Sequence, residues 1–152
     1  TLRLRGFTLI ELLVVIGILA VLLAITLVAI NPQKQFKQAN DTQRQSDVNA
    51  ILNAINQYAV DNKGQLPGGI GAAALNISST VGMADLCADL VPDYLAALPT
   101  DPLSPTDGAP IADCAVVGGY DTEYQVLTTA DNRVTVSAPN FEQAAALISV
   151  TR

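Results

Sequence analysis

Leu12–Ile30 passes without a single charged side chain, and one carboxylate, Glu11, stands at its head. As a helix rising about 1.5 Å per residue the run spans roughly 28 Å, close to the roughly 30 Å hydrocarbon core of a bilayer. A carboxylate costs roughly 2.5–3.5 kcal/mol at the centre of a membrane helix on insertion scales. A residue with that cost needs a partner or a task, and the rest of the chain is read around it.

Two ordinary explanations compete for the run. A secretory signal peptide has an apolar region of about 7–15 residues and a small-residue cleavage site. This run is longer, and Asn31-Pro32-Gln33-Lys34 follows it. A simple signal anchor explains the length and the two arginines, Arg3 and Arg5, that precede the run, but not Glu11. Positive charge before the span places the N-terminus in the cytoplasm and the body outside.

Helical spacing continues beyond the run. Gln33–Asp47 is mostly polar, and then Val48, Ile51, Leu52, Ile55, Tyr58 and Ala59 recur at steps of three and four, along one helical face. Asn49, Asn53, Asn56 and Gln57 occupy the other face. Asn62-Lys63-Gly64 is a helix stop and Pro67-Gly68-Gly69 prevents continuation. The expectation is one long helix over residues 7–62, roughly 80 Å, kinked or locally opened at Pro32.

Composition argues against most catalytic classes. The chain has no histidine, so the commonest general base and metal ligand is missing. Its two cysteines are too few for a zinc site by themselves. A net charge of −6 opposes general nucleic-acid binding, which needs a basic surface. No catalytic residue, cofactor or metal is expected.

Gly6-Phe7-Thr8-Leu9-Ile10-Glu11 resembles the processing site of type IV pilins and of the pseudopilins of type II secretion. The resemblance extends through Asp41–Ile51 and Gln57–Asn62. It includes Asp89–Pro102, which is similar to the segment leading from helix to sheet in major pseudopilins and many bacterial pilins. It implies that a prepilin peptidase cuts between Gly6 and Phe7 and N-methylates the new amino terminus of Phe7. It implies that Glu11 guides assembly by facing the amine of a neighbouring subunit's Phe7. An amine and a carboxylate buried together cost far less than either alone. Many relatives carry a glycine further along the apolar helix than Gly17, and a proline where this chain has Val28; here the proline is Pro32. Thr1 is not a methionine, so residues 1–6 are read as the remnant of a leader.

The expected architecture is α+β and type IV pilin-like. Residues 7–32 form the transmembrane and filament-core helix, 33–62 an amphipathic half, and 63–152 a globular extracellular domain with a small antiparallel sheet. Residues 64–82 read as a loop and Ala84–Val91 as a short helix. Glu123–Thr129, Arg133–Ala138 and Leu147–Thr151 read as strands, the first two joined by a turn at Ala130-Asp131-Asn132. On the exported side a Cys87–Cys114 disulfide is worth roughly 3–4 kcal/mol on the loop-entropy model. The alternative is two small buried thiols. Asp101, Asp107, Asp113, Asp121 and Asp131 raise the question of calcium, but without EF-hand spacing they read better as a solvated acidic surface.

Three functions follow as expectations. The first is a structural subunit of a type IV pilus-like filament. It rests in membrane lipid before assembly, joins copies of itself into a helical homo-oligomer, and uses an inner-membrane assembly machinery. The second is a pseudopilin of a secretion system, or a competence pilin for DNA uptake. The third is a single-pass anchored extracellular binding domain that never assembles.

Overall fold

The computed structural model describes residues 6–152. The leader reading rests largely on residues 1–5, which lie outside the described residues. Residues 6–36 and Lys37–Arg152 form two compact units.

The first unit is dominated by α1, Leu9–Ile30. Leucine, isoleucine, valine and alanine fill it, and no side chain in it is buried. It ends at Asn31, which adopts a left-handed conformation at φ 46°. Two local causes combine there. Proline disfavours the α region for the residue before it, and asparagine tolerates the left-handed region. A second helix, α2, Pro32–Asp61, starts immediately. Proline suits a first helical turn because its missing N–H would have no partner there. The Asn31 side chain accepts the Lys34 N–H at 3.4 Å. The opening expected at Pro32 is thus a break at Asn31, between α1 and α2.

α2 closes where the sequence indicated. Lys63 and Gly64 take positive φ values of 57° and 87°, and the Gly64 N–H reaches back to the Ala59 carbonyl at 2.7 Å. The left-handed turn satisfies a carbonyl that the helix end would otherwise leave open. Val48, Ile51, Leu52, Ala54 and Ile55 form the buried face.

A four-stranded antiparallel sheet in the order β1-β2-β3-β4 completes the body. Its strands are β1 Leu75–Ser78, β2 Asp121–Thr128, β3 Val134–Ala138 and β4 Ile148–Thr151. Val126 pairs with Val136, and Val136 with Val150. Tyr124, Val126, Val136 and Ala138 are fully buried and share one core with the apolar face of α2. Each large aliphatic side chain buried there contributes about 1.5–3 kcal/mol.

Two expectations need correction. Residues 64–82 are not wholly loop, because Leu75–Ser78 adds the edge strand β1 on β2. Its four residues lie between Ala72–Ala74 and Ser79-Thr80, and it is long-range pairing that makes them a strand. The helix expected over Ala84–Val91 is one turn, α3, Cys87–Leu90. Ala84 instead bridges Ile77, its N–H donating to the Asn76 carbonyl.

Candidate functional site

The site indicated by the sequence is the head of α1. Gly6 and Phe7 are exposed and precede the helix. Thr8 is its N-cap and Glu11 occupies the third helical position, forming a reciprocal capping box. The Glu11 N–H donates to Thr8 Oγ1 at 3.3 Å. The Thr8 N–H and hydroxyl both donate to Glu11 Oε2, at 2.9 and 2.7 Å. A helix start leaves its first N–H groups without partners, and this pair of residues supplies acceptors for two of them. The sequence reading found Glu11 but missed this local role, although Thr8-Leu9-Ile10-Glu11 has the spacing of a capping box ahead of an apolar run.

α1 is the one helix among the described residues long and apolar enough to cross a membrane. Its 22 residues rise about 33 Å. Val28 is 84% exposed, and Leu9, Leu23 and Ile25 are each more than 60% exposed. An apolar surface on that scale requires lipid or protein cover.

The body contains a second concentration of charge that the sequence reading passed over. Arg44 lies on α2 and is fully buried. Its Nε and Nη2 donate to both carboxylate oxygens of Asp101, at 2.6 and 2.9 Å. Its Nη1 donates to Asp41 at 2.9 Å and to Glu142 at 3.4 Å. These contacts, with the Asp101 bonds first, raise the affinity of the guanidinium for its proton against the opposing effect of burial.

Asp41 is buried and accepts the N–H groups of Glu142, Gln143 and Ala144. Burial acts to raise its pKa, but the three N–H groups and Arg44 outweigh it and hold the carboxyl below its ordinary value. Asp47 is the opposite case. Burial pushes its carboxyl up despite hydrogen bonds from Tyr124 and Gln43, both at 2.8 Å. Tyr124, buried and donating to Asp47, is pushed well above the ordinary tyrosine range. Among the described residues no buried side-chain nitrogen or oxygen lacks a partner. This network joins α2 to the segments around Asp101 and Glu142. Its sequence signal was present: Asp41 and Arg44 continue the Val48, Ile51, Ile55 stripe backwards at steps of three and four.

The remaining candidates separate in space. Cys87 and Cys114 are joined as a disulfide with Cα atoms 5.5 Å apart. Asp101 is committed to Arg44, and no group of three or more metal-ligating side chains occurs among the described residues. Tyr120 and Tyr124 are buried, while Tyr58 and Tyr94 pack edge to face at 5.7 Å.

Residues 3–27 match the family model of the prokaryotic N-terminal methylation motif. No curated protein and no solved structure matches the chain. The motif supports a type IV pilin- or pseudopilin-like prepilin, a structural protein rather than an enzyme. With the single apolar helix it fits membrane anchoring before assembly.

Proposed function

We propose that this chain is a structural subunit of a type IV pilus-like extracellular filament, drawn from the membrane and packed through its N-terminal helices. The observation that carries the reading is the methylation motif lying on a helix whose whole circumference is exposed. Lipid covers that surface in the membrane, and neighbouring copies of α1 cover it in the fibre.

A prepilin peptidase cuts between Gly6 and Phe7 and methylates the Phe7 amine. The cut creates a positive charge four residues ahead of Glu11. Among the described residues of a lone subunit, Glu11 accepts hydrogen bonds from Thr8 alone. In a bundle, the Phe7 amine of an adjacent copy supplies the opposite charge in a medium of low dielectric constant, where such a pair is strong. Docking by this route joins unlike surfaces and does not close on itself, so it extends as a fibre. The inner-membrane assembly machinery receives the processed subunit, and the body residues face the exterior.

A pseudopilin of a secretion system and a competence pilin share this helix and remain the second reading. A membrane-anchored binding domain is opposed by the motif, which a simple anchor does not need. Intact-mass measurement combined with electron microscopy of cells tests the proposal. Loss of residues 1–6 with one added methyl group, together with surface filaments containing this chain, is the expected result. An unprocessed protein that stays monomeric after extraction would overturn it. Processed subunits confined to short cell-envelope fibres would favour the pseudopilin reading.

A further inference from the structure

The sheet of the body has two chemically different ends. Where β2 begins, a cavity of ≈ 460 Å³ opens, lined by Ile111, Val116 and Tyr120 and by Asp113, Asp121 and Glu123. Its lining is mainly apolar and carries these three carboxylates. Asp113 accepts the Ala115 N–H, Asp121 accepts the Glu123 N–H, and Glu123 accepts the Asn140 amide. None of the three faces a cation, because every ion pair among the described residues belongs to Arg44.

At the far end of β2 the chain turns into β3 through Thr129–Arg133. Only backbone atoms of Arg133 take part in the turn, where its carbonyl accepts the Thr129 N–H and its own N–H donates to the Thr129 hydroxyl. Its side chain is exposed, and among the described residues the guanidinium makes neither an ion pair nor a hydrogen bond. β2 has eight residues, so at about 3.3 Å each the two ends lie roughly 25 Å apart. One molecule cannot bring them together, but two copies can.

We propose that the groove receives Arg133 of a second copy. The three methylenes of the arginine lie along Ile111 and Val116, and the guanidinium meets the carboxylates of Asp121 and Glu123. Arginine suits such a site because its stem is apolar and its planar fork matches carboxylate oxygens. The two surfaces are different and sit at opposite ends of the sheet, so each copy that is received can receive another. The contact is therefore a body-to-body register between successive subunits, and it rests on the filament reading given above.

Charge reversal in the full chain tests it. Arg133→Glu removes no ion pair and no side-chain hydrogen bond among the described residues, so the fold should be retained and processed subunit should reach the wild-type level in the membrane. Filament number should fall about tenfold, the effect of replacing an attraction with a repulsion at a repeated interface. Glu123→Arg should produce the same loss, and the two reversals together should restore filaments. In Arg133→Cys combined with Glu123→Cys, oxidation should give a ladder of cross-linked multimers. Normal filaments from both single reversals, or no rescue and no ladder from the paired variants, would overturn the contact while leaving the filament reading intact. A wild type that is processed yet forms no filament would overturn the filament reading and this contact with it.

Discussion

Arg44 grips both carboxylate oxygens of Asp101, at 2.6 and 2.9 Å, with both side chains removed from solvent. The two residues are 57 positions apart in the chain. The pair ties the middle of α2 to the proline-rich segment that precedes β2.

Removing one partner leaves the other as an uncompensated buried charge. Arg44→Ala should therefore destabilise the body by about 3–5 kcal/mol. Arg44→Lys should fall between the variant and the wild type, since a point charge cannot reproduce the two-oxygen grip. Denaturant unfolding of the detergent-solubilised chain measures both. A loss below about 1 kcal/mol for Arg44→Ala would show that water enters and solvates Asp101.

Asp41 and Asp47 should give opposite pH dependences. The folded pKa of Asp41 is lowered, so its contribution is present above the unfolded value of about 3.9 and is lost as pH falls through the folded value. The folded pKa of Asp47 is raised, so its contribution is present below the unfolded value and is lost as pH rises through the folded one. Asp41→Asn should lower the melting temperature at pH 7, and the difference from wild type should shrink below about pH 4. Asp47→Asn should leave the melting temperature at pH 7 no lower than in wild type, because it removes a buried charge and keeps an acceptor for Tyr124. Melting curves from pH 3 to 8 distinguish the two cases.

Cys87 anchors α3, while Cys114 lies in the irregular chain before β2. Opening the bridge frees the loop between them in the unfolded ensemble. Cys87→Ala with Cys114→Ala should cost roughly 3 kcal/mol. Unfolding with and without a reductant reads the same quantity, and an unchanged midpoint would show that the bridge adds no stability.

Glu11→Ala should be inserted and processed normally but should not assemble, because a bundled Phe7 amine would lack its counter-charge. Filaments at wild-type abundance from this variant would sink the pairing. Gly6→Leu should block cleavage, and a processed product would count against the assigned cut site.

The N-terminal half was legible for a local reason. Apolar composition, the lone Glu11 at its head and Pro32 each act through their near neighbours, and so does the three-and-four stripe from Val48 to Ile55; the Thr8–Glu11 spacing carried a local signal too, but it was missed. β2 and β3 were legible because each alternates and a short turn joins them. β1 was not, since Leu75–Ser78 becomes a strand only by pairing with residues near Val126 and Asp121. The opening expected at Pro32 falls at Asn31, because the proline is accommodated as a helix start and its predecessor changes conformation.

By itself the sequence determined that this chain has a span needing apolar cover, a carboxylate at its head and an acidic body behind it, because these follow from side-chain chemistry and period alone. Only the tertiary structure decided the fate of the polar residues. Asp41, Arg44 and Asp47 belong to a stretch that in the sequence is simply polar, and segments distant in sequence close over them. A charged side chain is tolerated inside only when oppositely charged or hydrogen-bonding groups surround it, and which groups arrive is a property of the fold.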